Sequence, residues 1–174
     1  MDYRYWDSNC FLKWLKKEPD YEKCKGVLYN AENNKLKIVT SALTIAEVIY
    51  LHPSPKMTRE KSDEICRMFE RDYIVTISVD RVIAEEAREL LWQYKALKPK
   101  DAIHVASAIR ANVVNKSSSI ILDTFDEDLI KLSGKIGTPP LIIGSPNIEY
   151  QERIFAGEDK EKGDEEDLEE AADG

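Results

Sequence analysis

Residues 3–17, YRYWDSNCFLKWLKK, decide the fold because they pass from a strand to a helix through a single aspartate. The aromatic composition of YRYW is typical of a short β-strand. The residues that follow place four apolar side chains on one side of a helix: Phe11, Leu12, Trp14 and Leu15. Asp7 stands between the two segments. A strand followed directly by a helix is the first half of an α/β unit, so its repetition would specify the fold class.

Strand-like and helix-like segments alternate through the rest of the chain. Further strands are predicted at residues 36–40, 73–77, 119–122 and 139–144. Further helices are predicted at residues 20–33, 42–51, 58–71, 80–94, 99–112 and 127–132, with Thr58 and Asp80 as N-caps and Pro99 in a first turn. This alternation predicts a three-layer α/β/α domain with a mostly parallel central sheet over residues 1–150.

Four carboxylates stand almost alone at the ends of apolar segments: Asp7, Glu47, Asp101 and Asp126. Glu47 is the only charged residue in SALTIAEVIYL (residues 41–51), a predicted helix that is apolar on nearly every side and is therefore expected to be buried. Asp101 opens DAIHVASAI, which has no other formal charge. Burying an unpaired carboxylate is costly, so such groups are usually paired or bound to a metal ion. Carboxylate and water oxygens are the ligands that Mg²⁺ and Mn²⁺ prefer. The pattern therefore predicts a site for a hard cation.

The order of the elements places two of these acids on the same rim of the sheet. In open parallel sheets the active crevice lies outside the carboxyl ends of the strands. Asp7 directly follows the first strand, and Asp126 follows the strand at 119–122 by a short turn. The two histidines show no HxxxH spacing, which disfavours a zinc hydrolase. His104 is expected to be a satisfied histidine of the core or rim rather than a ligand.

Each acid except Glu47 also has a purely structural interpretation. Asp7 and Asp126 could cap the helices that follow them, and Asp101 in a first helical turn gains from the helix dipole. Glu47 is in the middle of a helix, in an apolar segment, with no partner nearby in sequence. The four acids together, in this order, favour a site over four unrelated caps.

These segments resemble the PIN-domain family, and most closely the VapC-type toxins. The resemblance covers about residues 1–150 and depends on four motifs in order: WDSN, TIAEVIYL, KPKDAIHVASAI and IILDTFDEDLIKL. It implies an α/β/α fold and a metal-dependent ribonuclease that hydrolyses RNA with Mg²⁺ or Mn²⁺. The catalytic and metal-binding acids that it implies are Asp7, Glu47, Asp101 and Asp126.

The resemblance extends to residues around these acids. Thr124-Phe125-Asp126 fits the T-x-D pattern of the fourth motif, so Asp126 is the first choice as the acid of that motif. Asp128 is the second choice and is expected as an additional metal ligand, whereas Asp123 takes a position that is more often neutral in the family. The implied substrate-binding residues are Ser8, Asn9 and Thr124, with Lys98 and Lys100 beside Asp101 as phosphate contacts. The implied partners are RNA, an antitoxin protein and a second copy of the chain in a homodimer.

The net charge of −8 comes entirely from the end of the chain. Residues 157–174 contain ten acids and two lysines, so residues 1–156 hold 23 acids and 23 bases. The balanced body does not argue for tight non-specific DNA binding. We expect residues 151–174 to form an acidic, disordered tail. Residues from about Gly157, which include one leucine and no aromatic residue, are expected to be mobile and dispensable for folding.

The remaining composition predicts a cytoplasmic protein with no membrane partner. The sequence has no apolar run of about eighteen residues, and its N-terminus, MDYRYWDSN, lacks the apolar region of a secretory signal. The three cysteines are widely spaced, so buried reduced thiols are expected.

Two other functional classes stay open. One is a catalytically silent PIN-fold module that binds nucleic acid or protein. The other is a metal-dependent phosphatase or phosphoryl transferase of another α/β family. Those enzymes usually place D-x-D after the first strand, where this chain has DSN.

Overall fold

The computed structural model describes residues 2–51, 58–114 and 120–146, without the side chains of Tyr50 and Leu51. The predicted loop HPSPK (52–56) and the acidic tail 151–174 lie outside the described residues. Among the helices of the described ranges, none is long and apolar enough to cross a membrane.

Strands and helices alternate along the described chain, close to the predicted boundaries. The elements are β1 (Asp2–Trp6), α1 (Ser8–Lys16), α2 (Glu22–Glu32), β2 (Leu36–Ser41), α3 (Ala42–Leu51), α4 (Arg59–Met68), β3 (Ile74–Ile77), α5 (Arg81–Gln93), α6 (Pro99–Val114), β4 (Ile121–Asp123), α7 (Glu127–Ile130) and β5 (Ile142–Gly144). Thr58 and Asp80 cap α4 and α5 through their side chains, as predicted. Pro99 opens α6, where its missing N–H has no helical partner to lose.

The strands form one sheet in the order β3-β2-β1-β4-β5, and every pair of neighbours is parallel. The mostly parallel sheet that the sequence predicts is therefore entirely parallel in the described residues. The chain moves from β1 toward β3 on one side and then returns to add β4 and β5 on the other. This reversal places a crevice at the carboxyl ends of β1 and β4.

Helices cover both faces of the sheet, which confirms the three-layer α/β/α architecture. Successive residues of a strand face opposite sides, so Trp6 and Ile38 pack with the apolar residues of α1, α2 and α4. Their neighbours Tyr5 and Val39 pack on the other face, with α5 and α6. Each layer of helices therefore has its own apolar core.

Helix α3 is less buried than its sequence predicts. Its apolar composition on nearly every side indicated a buried helix, yet Ala42 and Ala46 are exposed, while Thr44, Glu47 and Val48 are buried. The prediction of a buried helix is therefore wrong for one side of α3. Alanine side chains are small, so exposing them costs little free energy.

Asp123 is a buried acid that fastens β4 to β1. Arg4 donates from Nε to Asp123 Oδ2 over 2.9 Å and from Nη2 to Oδ1, and Trp6 Nε1 donates to Oδ2 over 3.0 Å. Burial raises the pKa of Asp123 to about 6, although Arg4 and Trp6 favour its ionised form. Arg4 and Trp6 alternate with Tyr5 and so share one face of β1. This pairing explains why the chain can bury an acid at position 123.

We expect Arg4→Met to destabilise the protein by about 3 kcal/mol, because it leaves a buried carboxylate without its cation. The loss should shrink at about pH 5, since a protonated Asp123 needs no cation and its raised pKa favours that form. Denaturant unfolding at the two pH values measures both effects.

The matched control is Arg81→Met, which removes an exposed ion pair with Glu85. Exposed pairs contribute little, so this variant should lose less than about 0.5 kcal/mol at either pH. Equal losses in the two variants would show that Asp123 does not depend on Arg4.

Candidate active site

Asp7 lies at the carboxyl end of β1 and is almost completely buried. It is the N-cap of α1, and its Oδ1 accepts a hydrogen bond from the Cys10 N–H at 3.1 Å. Its Oδ2 accepts from the Thr124 hydroxyl at 2.6 Å. Burial raises the pKa of Asp7, while His104 and these hydrogen bonds oppose the rise. The capping role expected for Asp7 is therefore real, and it coexists with a place on the predicted rim.

Thr124 connects Asp7 to Asp126. The Thr124 hydroxyl donates to Asp7 and accepts from the Asp126 N–H at 3.0 Å. Asp126 in turn caps α7, because its Oδ1 accepts from the backbone N–H groups of Asp128 and Leu129 at 2.8 and 3.3 Å. One hydroxyl thus links the loop after β4 to the end of β1.

Glu47 reaches the same rim from α3, and protein donors occupy both of its oxygens. Lys100 Nζ lies 2.7 Å from Oε1, and His104 Nε2 lies 2.7 Å from Oε2. Ser8 adds a further hydrogen bond. Burial opposes ionisation, but these three partners outweigh it and lower the pKa of Glu47 to about 2. The charge that has no partner within its own segment is thus neutralised by α6.

His104 joins the rim to the core. It is buried on α6, and its Nδ1 lies 3.0 Å from the hydroxyl of Tyr5 on β1. Both ring nitrogens of His104 therefore have a polar partner, Nε2 with Glu47 Oε2 and Nδ1 with the Tyr5 hydroxyl. The expectation of a satisfied histidine agrees with these contacts, but no local pattern in the sequence links His104 to Glu47. The available signal was its spacing of three residues from Asp101, which places both on one side of α6.

Asp101 and Asp126 line a cavity of about 250 Å³ together with Lys98 and Asp128, whereas Asp7 and Glu47 do not line it. Burial raises the pKa of Asp101, and the negative charge of Asp126 raises it further, although Lys98 and Lys100 oppose the rise. The two carboxylates therefore repel each other. A cation between them would relieve that repulsion.

The other candidate residues surround these acids with different degrees of contact. Asn9 is exposed and its Nδ2 lies 3.4 Å from Asp7 Oδ2. Asp128 is largely exposed and pairs with Lys131 at 2.7 Å, which leaves it at the margin of the cavity. Lys98 is exposed beside the cavity.

The donor chemistry of the rim fits a hard cation, because carboxylates that repel each other face a common cavity. Among residues 2–51, 58–114 and 120–146, however, no group of three His, Cys, Asp or Glu side chains is arranged to hold one ion. Binding by all four acids stays a prediction.

Comparison with known protein families matches residues 4–135 to the PIN domain. The chain belongs to the PIN domain family. PIN domains are generally metal-dependent nucleases, so family membership indicates a nuclease-type function. Comparison with curated proteins found no match. All four acids of this PIN domain lie inside the matched range.

Without divalent ions, we expect Glu47→Gln and Asp101→Asn to change stability in opposite directions. Glu47→Gln should cost about 1–3 kcal/mol at neutral pH, because it removes charge-assisted hydrogen bonds from a buried carboxylate. Asp101→Asn should keep or raise stability, since its raised pKa means that the fold disfavours its ionised form. Thermal melting in excess chelator measures both.

The pH dependence of the Glu47 effect follows from its lowered pKa. The stabilisation is present above the ordinary pKa of 4.5 and is lost as the pH falls toward 2. The difference between Glu47→Gln and the parent should therefore shrink below about pH 4.5. A constant difference down to about pH 3 would contradict the assignment of the low pKa to Glu47.

Proposed function

We propose that this PIN domain is a metal-dependent endoribonuclease that hydrolyses RNA phosphodiester bonds. The observation that carries the proposal is the cavity that Asp101 and Asp126 both line, because these two carboxylates repel each other. Asp7 directly follows β1, and Glu47 on α3 has a hydrogen bond with Ser8, the residue after Asp7. Crevices of parallel sheets bind ligands at such a point.

Mg²⁺ or Mn²⁺ would be held by Asp7, Glu47, Asp101 and Asp126, with Asp128 at the margin. When bound, such an ion activates a water molecule and neutralises charge on the phosphate.

The protein's own groups prepare the rim for that role. Thr124 fixes Asp7 through its hydroxyl, and His104 fixes Glu47 through Nε2. We assign Lys98 and Lys100 to the substrate phosphates, because both lie beside Asp101 and favour its ionised form. Ser8 and Asn9 contact Glu47 and Asp7 and complete the proposed substrate site.

The proposed biological role is that of a VapC-type toxin, with RNA as substrate, an antitoxin as partner and a homodimer as the assembled state. Support comes from the four ordered motifs within a PIN domain. The proposed location is the cytoplasm, which agrees with the buried free thiols of Cys10 and Cys24, although Cys66 is only half-buried.

One observation favours a second candidate, a catalytically silent PIN module that binds nucleic acid or protein. Lys100 and His104 occupy both oxygens of Glu47, so this acid is already neutralised without a metal ion. Such a module would bind RNA in chelator and leave it uncut.

The nuclease proposal predicts cleavage of a model RNA only with Mg²⁺ or Mn²⁺, and loss of cleavage in Asp101→Asn. The substitution keeps the shape of the side chain but removes a charge that a hard cation needs. We expect at least about a hundredfold loss of rate with little change in melting temperature, measured by gel analysis of the products.

The control is Glu127→Gln, which removes an exposed carboxylate next to Asp126 that does not line the cavity. It should cleave RNA at the rate of the parent. Cleavage by Asp101→Asn, or cleavage that persists in excess chelator, would end the nuclease proposal. RNA binding without cleavage in every metal would establish the silent module instead.

A further inference from the structure

The two groups that hold Glu47 differ in how easily they can leave. The side chain of Lys100 is 56% exposed, whereas that of His104 is 3% exposed. The Nδ1 atom of His104 also contacts the hydroxyl of Tyr5 at 3.0 Å. Lys100 is therefore the more accessible of the two groups and has a flexible four-carbon stem, while His104 can move only by disturbing the core.

A divalent ion on Glu47 must compete with one of these groups. Lys100 Nζ lies 2.7 Å from Oε1, which is the distance of a charge-assisted hydrogen bond. An ammonium and a dication on the same side of one oxygen would repel each other strongly. Since His104 can stay on Oε2, Oε1 is the atom that can be exchanged.

We propose that Lys100 is a displaceable counter-ion of Glu47. It neutralises the carboxylate until a divalent ion binds, and it then moves toward the phosphate of the bound RNA. This inference rests on the metal site of the proposed function and adds a defined order of events to it. Lys100 thereby weakens metal binding in the absence of RNA and strengthens RNA binding once the metal is present.

Both effects follow from one exchange of partners. Breaking the ion pair between Lys100 and Glu47 costs free energy, so it lowers the affinity of the site for the divalent ion. The ammonium that leaves Glu47 becomes a phosphate contact that the metal-free protein does not offer. Metal and RNA therefore favour each other's binding, and by linkage the coupling is the same in either direction.

The test is calorimetric titration of the chelator-treated protein with Mn²⁺. Lys100→Met should bind Mn²⁺ about tenfold more tightly than the parent, because no charge-assisted hydrogen bond has to be broken. Lys98→Met is the matched control, since Lys98 carries the same charge, is exposed and acts on Asp101 as Lys100 does. It should gain less than about threefold, the effect of removing one screened positive charge.

The outcomes separate this inference from the proposed function. Equal gains in the two variants, or no gain in Lys100→Met, would overturn the displacement of Lys100 while leaving the metal site intact. Absence of Mn²⁺ binding in the parent and both variants would overturn the metal site and the displacement together. If Mn²⁺ binds to Lys100→Met but not to the parent or to Lys98→Met, the result would support the competition between Lys100 and the ion for Glu47.

A second measurement tests the movement toward RNA. With saturating Mn²⁺, Lys100→Met should raise the KM for a model RNA about five- to tenfold, as expected for the loss of a phosphate contact. Tighter metal binding combined with a higher KM is a pair of changes that a purely structural lysine would not produce. An unchanged KM would overturn the movement of Lys100 toward the phosphate.

Discussion

The junction of β1 and β4 depends on the buried carboxylate of Asp123. The backbone ladder between the two strands is short, because β4 contributes just three residues. Arg4 and Trp6 add side-chain hydrogen bonds to Asp123, and the Asp7 N–H lies 3.4 Å from its carbonyl oxygen. Because Asp7 ends one strand and the loop of Thr124 ends the other, this junction sets the spacing of the two.

Helix capping and the acidic rim are two uses of the same side chains. Asp7 and Asp126 each give one oxygen to backbone N–H groups at the start of a helix. Those N–H groups carry partial positive charge, which lowers the cost of collecting acids in one place. A carboxylate that caps a helix in this protein can therefore also belong to the proposed metal site. The residue that distinguishes a metal site from helix capping is Asp101, because burial and the neighbouring Asp126 raise its pKa.

The fold was predictable because each element has its own local signal. The apolar periodicity of α5 and the caps Thr58 and Asp80 located helices, and the apolar strands between them indicated a parallel sheet. The acids of the rim were predictable as isolated charges. Their partners were not, since Lys100 and His104 lie more than fifty residues from Glu47 and nothing local pairs them. The exposure of Ala42 and Ala46 was missed for a related reason: composition does not reveal which side of α3 the other helices cover.

The pairing of Arg4 with Asp123 spans 119 positions of the chain. Contacts so distant in sequence form late, because the long intervening segment must close first. During synthesis the first strand leaves the ribosome well before its neighbour β4 exists. A nascent chain therefore carries Asp7 and Glu47 without the acids that complete the rim. For the nuclease proposed here, this order keeps the unfinished protein inactive beside the messenger RNA that encodes it.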